Sequence, residues 1–177
     1  HGGSLLFAHN TLAGKFYLAT ERLLMLRGDL FLFESAYSAD IFRSKIGNPR
    51  GLVRVVHNGV SQAEFKPIIA KADATDLVFM GELRPVKGID VLLDAIASLR
   101  AAGRTVTATL VGDGPERAAL QAQVENLGLA NAVHFRPAMP AAEALTLGRI
   151  MVVPSRAESL PYVVLETAAG TKPLITT

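Results

Sequence analysis

Residues 77–88 read Leu77-Val78-Phe79-Met80-Gly81-Glu82-Leu83-Arg84-Pro85-Val86-Lys87-Gly88, an apolar run that ends in a loop bounded by two glycines. After this loop, apolar residues recur at helical spacing, and the face they form comprises Ile89, Leu92, Leu93, Ile96 and Leu99. Gly103 follows at the position of a helix cap. A strand that leads through a short loop into a helix is the building unit of a parallel sheet.

The same alternation continues downstream. The pattern predicts strands at 105–111, 133–135, 150–153 and 174–176, and helices around 120–127, at 141–147 and at 162–169. Strands joined by helices of this length need right-handed crossovers and form a parallel sheet with helices on both faces. The predicted fold class is therefore α/β, with a Rossmann-like domain at 76–177 whose ligand lies at the carboxyl ends of the strands.

Upstream, the elements are less regular. Helices are predicted at 12–26 and 38–45 and strands at 29–33 and 52–56, whereas 61–75 loses the apolar period and reads as a connection between two domains. The chain starts without methionine and stops in a strand, so we expect a fragment truncated at both ends. Residues 1–60 would then be the C-terminal part of a preceding Rossmann-like domain, and the domain at 76–177 would be incomplete at its C-terminus.

Composition excludes several protein classes. The chain has 177 residues, of which 50% are hydrophobic and 19% charged, and this is globular composition. The net charge of +2 comes without any basic run, which argues against a nucleic-acid partner. The absence of cysteine excludes a disulfide scaffold, and no histidine spacing is typical of a metal site. No apolar run reaches the roughly 18 to 20 residues of a membrane span, so we expect a cytoplasmic protein.

The loop between Gly81 and Gly88 places Arg84 and Lys87 just before a helix N-terminus. Helix N-termini are partially positive, so an anion such as a diphosphate would bind there. Both cations suit a leaving group that gains negative charge as its bond breaks. On spacing alone, two solvated loop cations are an equally good interpretation. A second glycine loop, at 112–114, is typical of a structural turn.

A further loop carries Glu158, and Pro161 then begins a helix that contains Glu166 a little more than one turn inside. If 158–166 were all helical, the two carboxylates would be about 12 Å apart along the axis, too far for a paired-carboxylate hydrolase centre. We expect each to accept hydrogen bonds from sugar hydroxyls, since a carboxylate near a nucleotide-binding loop often binds ribose hydroxyls. The alternative for Glu166 is a solvated helix residue, which its apolar neighbours Val163 to Leu165 disfavour.

The two glutamates with seven residues between them, followed by Gly170 and Pro173, resemble the signature of the family 4 (group 1) glycosyltransferases. Residues 57–60, 81–88 and 110–115 also fall where that family places its interdomain strand end, phosphate loop and second glycine turn. The resemblance implies a GT-B fold, in which two Rossmann-like domains enclose the active site. It also implies transfer of a sugar from a nucleotide-diphosphate sugar with retention at the anomeric carbon, without a metal or another cofactor.

Carried over by position, the resemblance implies that Lys87 holds the donor diphosphate, Glu158 the transferred sugar and Glu166 the ribose. The backbone amides of Ser159 and Leu160 would lie against sugar and phosphate, and His1 would point at the donor sugar. Glu82 stands where the family usually has arginine, so that role passes to Arg84, and Ser159-Leu160-Pro161 replaces the family's Gly-Phe-Gly. The predicted catalytic residues are Glu158, Lys87, Arg84 and His1, and the predicted donor-binding residues are Gly81, Glu82, Arg84, Lys87, Arg136, Met139, Glu158, Ser159, Leu160 and Glu166.

The partners implied by the resemblance are a nucleotide sugar and an acceptor such as a glycan or a lipid-linked sugar, as in polysaccharide biosynthesis. Peripheral contact with the cytoplasmic face of the inner membrane is expected by the same analogy. Two alternatives stay open. One is a nucleotide-sugar epimerase or a phosphorylase on the same fold, and the other is a non-catalytic nucleotide-binding fragment. The isolated fragment is expected to be inactive, because residues before His1 would supply the acceptor site.

Overall fold

The computed structural model describes residues 11–158 and 160–177. The chain divides into two compact units, the first ending at Asn58 and the second beginning at Gly59. The first unit contains helix α1 (Leu12–Met25), strand β1 (Leu30–Phe33), helix α2 (Ala36–Lys45) and strand β2 (Leu52–Val55). Strands β1 and β2 are parallel. The hydroxyl of Ser35 accepts a hydrogen bond from the Ser38 amide and begins α2 as a capping box.

The second unit contains five strands and four α-helices among its described residues. In chain order they are β3 (Thr75–Met80), α3 (Ile89–Ala101), β4 (Ala108–Val111), α4 (Arg117–Asn126), β5 (Val133–Arg136), α5 (Ala141–Ala144), β6 (Gly148–Val153), α6 (Tyr162–Ala169) and β7 (Leu174–Thr176). Short 3-10 turns lie at Gln62–Glu64, Pro85–Lys87 and Leu145–Leu147.

The five strands of the second unit form one parallel sheet with the order β5-β4-β3-β6-β7. From β3 the chain moves outward through β4 to β5, and it then returns to the other side of β3 to form β6 and β7. The direction of winding therefore reverses between β3 and β6. Such a switch point leaves a crevice at the carboxyl ends of the two strands, where parallel sheets of this kind bind ligands.

Apolar residues cover both faces of this sheet, because neighbouring side chains of a strand point to opposite faces. Phe79 belongs to one core, together with Leu93 and Ile96 of α3 and Leu120 of α4. Val78 belongs to the other core, which comprises Val111, Ala144, Leu145, Met151 and Val153, with Val163 and Val164 of α6 packed against it. The predicted α/β class and the parallel sheet with helices on both faces are confirmed.

The observed elements differ from the predicted ones at several ends. Strand β4 begins at Ala108, because the amide and hydroxyl of Thr107 both donate to the Asp76 carboxylate, at 2.9 and 2.8 Å. The helix predicted at 141–147 is one α-helical turn followed by a 3-10 turn. Pro161 is the N-cap of α6 and not its first helical residue. Within the predicted connection, the Ile68 amide donates to the Gly170 carbonyl at 2.9 Å.

Thr171, two residues after the last residue of α6, has a left-handed conformation, with φ at 53°. The Thr171 amide donates to the Ala168 carbonyl at 3.0 Å and the Lys172 amide donates to the Thr167 carbonyl at 3.1 Å. These two bonds form the Schellman motif that usually carries glycine at the left-handed position. A β-branched residue is unfavourable there, because its Cβ crowds the backbone.

We therefore expect Thr171→Gly to raise the free energy of unfolding by about 1 kcal/mol. Urea denaturation of the protein measures this change. Ala168→Gly is a suitable control, because this exposed position lies inside the same helix, where glycine should lower stability by about 1 kcal/mol. A lower urea midpoint for Thr171→Gly would show that the threonine is not strained.

Candidate functional site

Three loops meet at the carboxyl edge of the sheet. The first loop (residues 81–88) follows β3, the second loop (residues 112–116) follows β4, and the third loop (residues 154–161) follows β6. Because β3 lies between β4 and β6 in the sheet, the first loop has the other two as neighbours. The first and third loops flank the switch point, which is where a ligand would lie.

The backbones of these loops are in direct contact, and two glycines make the contact. A Cβ atom built on Gly88 would lie 1.9 Å from the Pro154 carbonyl oxygen, and one built on Gly112 would lie 1.9 Å from the Gly81 carbonyl oxygen. Both glycines also have positive φ angles, 65° and 139°. The second loop thus has the structural role expected for its glycines, and it fixes the position of the first loop.

Lys87 and Glu158 meet across the switch point. The Lys87 ammonium donates a hydrogen bond to Oε1 of Glu158, and the Ser155 hydroxyl donates to the same oxygen at 3.2 Å. Both charged side chains are 26% exposed, so they are partly withdrawn from water and still reachable by a ligand. The structure therefore brings together the two residues that the sequence predicts for the diphosphate and for the transferred sugar. An ammonium can bind phosphate oxygens, and a carboxylate can accept hydrogen bonds from hydroxyls.

The Arg84 side chain pairs with Glu82. Its Nε atom is 2.7 Å from Oε1 of Glu82, and the two side chains are 57% and 51% exposed. Glu82, which stands where the family usually has arginine, therefore pairs with Arg84, the cation predicted to take over the role of that arginine. Exposed pairs of this kind contribute little to stability, so a ligand could separate them at small cost.

Glu166 lies in the second turn of α6 and is partly buried. Burial raises the pKa of its carboxyl group, and the negative charge of Glu64 raises it further. Among the described residues, no side-chain hydrogen bond or ion pair engages this carboxylate. It is neither a fully solvated residue nor a member of the Lys87–Glu158 pair, and it is available to accept hydrogen bonds.

A pocket of about 360 Å³ lies between the first two loops and the segment after β5. Its lining includes three residues predicted to bind the donor, Gly81, Glu82 and Met139, together with Met80, Val111, Gly112, Asp113 and Ala138. Arg136 does not line this pocket, although its backbone carbonyl accepts a hydrogen bond from the Gly112 amide at 3.0 Å. The structure thus groups Met139 with the first loop and leaves the Arg136 side chain exposed outside the group.

The sequence of residues 74–177, more than half of the chain, matches the family described as glycosyl transferases group 1. The chain belongs to this family. The predicted resemblance is therefore confirmed, and it rests on the unit that contains the three loops.

Curated relatives of this group 1 glycosyl transferase have a range of substrates in their names. The chain is 29% identical to a D-inositol 3-phosphate glycosyltransferase of Streptomyces avermitilis, over 88% of this chain and 38% of the relative. It is 30% identical to the alpha-D-kanosaminyltransferase of Streptomyces kanamyceticus, over 64% of this chain and 30% of the relative. The chain thus spans less than two fifths of the length of these relatives.

Solved structures show the same fold. HepE of Anabaena, whose crystal structure contains UDP and glucose, has a TM-score of 0.78 at 24% identity, over 92% of this chain and 48% of that one. WaaG, a glycosyltransferase involved in lipopolysaccharide biosynthesis, has a TM-score of 0.78 at 21% identity, over 95% of this chain and 50% of that one. These similarities confirm the GT-B type of fold.

Some residues predicted for the candidate site have no structural description. His1 and Ser159 lie outside the described residues, and Leu160 is a partly exposed residue of the third loop. Within residues 11–158 and 160–177, no group of three or more His, Asp or Glu side chains is arranged to hold a metal ion. No helix in that part of the chain has both the length and the hydropathy needed to cross a membrane.

Sequence reasoning missed Arg156, Asp90 and Arg117. The Arg156 guanidinium makes two hydrogen bonds to the Asp90 carboxylate, at 2.8 and 2.6 Å. Arg117 donates to the Gly112 carbonyl at 3.1 Å and lies over the Phe135 ring, 5.6 Å from its centroid. Asp90 is acidic in a first helical turn, a common feature that carries no hint of its partner 66 residues away. No local pattern could have found the contact between Arg156 and Asp90.

Proposed function

We propose that this chain forms the donor-binding part of a glycosyltransferase that moves a sugar from a nucleotide-diphosphate sugar to an acceptor, with retention and without a metal. The observation that carries the proposal is the Lys87–Glu158 pair at the switch point. A cation and a carboxylate in contact match the two ends of the bond that breaks, a diphosphate on one side and a sugar rich in hydroxyls on the other.

Lys87 has the surroundings of a diphosphate site. It ends the 3-10 turn of the first loop, and α3 begins two residues later at Ile89. The N-terminus of this 13-residue helix adds a partial positive charge to that of the ammonium. A departing diphosphate gains negative charge as the bond to the sugar breaks, and a cation fixed beside it lowers the barrier.

Glu158 would bind hydroxyls of the transferred sugar. Its Oε1 already accepts hydrogen bonds from Lys87 and Ser155, so its orientation is set before a ligand arrives. When the donor binds, one of its phosphates would take the place of Glu158 beside Lys87. Sugar hydroxyls would then donate hydrogen bonds to the carboxylate oxygen that Lys87 has left. Arg84 would provide a second cation after release from Glu82.

Glu166 and the pocket at Met139 would bind the nucleoside. The Glu166 carboxylate is open for ribose hydroxyls, and its raised pKa implies that acid weakens this contact sooner than for an ordinary glutamate. The pocket between Gly81 and Met139 would accept the base against apolar side chains and loop backbone. No side chain of the lining is predicted to be specific for one base, so backbone groups would form the hydrogen bonds to the base.

Retention, metal independence and the acceptor class rest on the family resemblance. A glycan or lipid-linked acceptor is consistent with relatives named for lipopolysaccharide and colanic acid biosynthesis. A cytoplasmic site for the reaction, with peripheral contact at the membrane face, belongs to the same proposal. The division of domains at 61–75 is also proposed, with the donor site in 76–177.

Calorimetric titration of the protein with UDP, GDP, ADP and NAD, with and without EDTA, tests this function. We expect one nucleoside diphosphate to bind, with the same affinity in EDTA. Transfer by the full-length protein from the sugar derivative of that nucleotide, followed by NMR of the product, should show a retained anomeric configuration. Binding of NAD alone would overturn the proposal. An altered donor sugar without acceptor would indicate an epimerase, and a sugar phosphate formed with inorganic phosphate would indicate a phosphorylase.

A further inference from the structure

Arg156 holds the third loop onto the first loop and the start of α3. Its guanidinium binds both oxygens of Asp90, at 2.8 and 2.6 Å, and donates to the Pro85 carbonyl at 2.5 Å. Its backbone amide donates to the Val86 carbonyl at 2.8 Å. One residue of the third loop thus makes four hydrogen bonds to three residues that surround Lys87 in sequence.

These contacts lie on either side of the Lys87–Glu158 pair. Val86, which precedes Lys87, is bound to Arg156, and Gly88, which follows Lys87, is packed against Pro154. The spacing between Lys87 and Glu158 is therefore set by contacts of their neighbours as well as by their own ion pair.

Asp90 is a fixed anchor for this arrangement. It lies in the first turn of α3, and its backbone carbonyl accepts a hydrogen bond from the side-chain amide of Gln123 in α4 at 3.1 Å. The same Gln123 amide donates to Asp94 at 2.8 Å, one turn further along α3. The hydrogen bonds from Arg156 lower the pKa of Asp90, which favours the charged form of this carboxylate.

We propose that Arg156 and Asp90 are positioning residues. They hold Lys87 and Glu158 at the distance that the donor requires when Lys87 and Glu158 separate to bind it. This inference rests on the proposed function. When Lys87 exchanges Glu158 for a phosphate, the ion pair between the loops is lost and the Arg156–Asp90 bridge remains. The guanidinium is suited to this task, because its rigid fork fixes both distance and orientation to a carboxylate.

A double-mutant cycle in the full-length protein tests the assignment. We expect Arg156→Gln and Asp90→Asn each to lower kcat for sugar transfer by about 10-fold to 100-fold, because a misplacement of about 1 Å at a reacting centre costs this much. KM for the donor should change less than kcat. The double variant should be no slower than the slower single variant, since both substitutions break one bridge. The bridge is half-exposed, so the melting temperature should fall by no more than about 2 °C.

Arg149→Gln is the matched control. Arg149 also pairs with an aspartate of the second unit, at 3.3 Å from Asp76, and its side chain is 56% exposed. This bridge lies at the amino end of β6, away from the three loops, so transfer should be unchanged. Arg156→Lys is a second variant that keeps the charge and loses the fork, and it should be as slow as Arg156→Gln.

The outcomes separate the two proposals. If the wild-type protein transfers sugar and Lys87→Gln does not, the proposed function stands. Wild-type kcat in Arg156→Gln or Arg156→Lys would then overturn the positioning role alone, as would additive losses in the double variant. A full-length wild-type protein that transfers no sugar would overturn the proposed function and this inference together.

Discussion

Lys87→Ala is expected to lower kcat/KM for sugar transfer by about 100-fold to 1000-fold, the cost of removing one electrostatic contact to charge that develops in a transition state. The same substitution should weaken binding of the nucleoside diphosphate in calorimetry. Lys87 is paired with Glu158 across the switch point, whereas Arg84 is bound to Glu82 and more exposed. We therefore expect a smaller loss, about 10-fold or less, from Arg84→Ala.

Two further variants make the Lys87 result interpretable. Lys87→Gln keeps a hydrogen-bond donor near Glu158 and removes the charge, so it should lose as much activity as Lys87→Ala while avoiding an unpaired carboxylate. Lys71→Ala removes an exposed lysine of the same unit and should have no effect on transfer. An active Lys87→Gln variant would show that the ammonium does not stabilise the leaving group.

Gly88→Ala is expected to damage both stability and activity. The new methyl group would lie about 1.5 Å too close to the Pro154 carbonyl oxygen, in a residue whose φ angle of 65° already disfavours a side chain. The first and third loops would have to separate, which should lower the free energy of unfolding by about 3 kcal/mol and transfer by about 100-fold. Urea denaturation and the transfer assay measure the two effects.

Gly128→Ala separates the two causes. Gly128 has a φ angle of 66°, almost the same as Gly88, but a methyl group there would meet no atom within 4 Å. Its substitution should lower the free energy of unfolding by about 1 kcal/mol, the cost of the left-handed conformation alone, and leave transfer unchanged. Equal losses in the two alanine variants would mean that the contact between Gly88 and Pro154 has no energetic importance.

The fold could be predicted because its signals are local. The helical spacing of Ile89, Leu92, Leu93 and Ile96 is visible within one window, and all four are buried in the core between α3 and the sheet. A predicted strand end was wrong where a side chain takes the place of a backbone hydrogen-bond partner. The Asp76 side chain binds Thr107, and β4 begins only at Ala108. A contact over 31 residues of sequence leaves no periodic pattern.

The candidate site could be predicted only in part, for the same reason. Lys87 and Glu158 were recognised separately, one from its loop and one from its motif, and their contact depends on the strand order around β3 and β6. The pairing of Arg84 with Glu82, and of Arg156 with Asp90, depends on side-chain conformations that spacing does not specify. Sequence therefore identified the chemical groups of the site, and the structure shows which of them are joined.

The glycines of the second unit also determine where the chain can change in length. At the carboxyl edge of the sheet, Gly81 and Gly112 are in backbone contact, so an inserted residue in either loop would push its neighbour away. At the opposite edge, Gly103 and Gly128 end α3 and α4 beside open space. Added residues, affinity tags or whole inserted domains would be accommodated there, because loop closure becomes only slightly costlier as a loop grows. We therefore expect the loops at the carboxyl edge to tolerate little change in length, and the loops at the opposite edge to tolerate more.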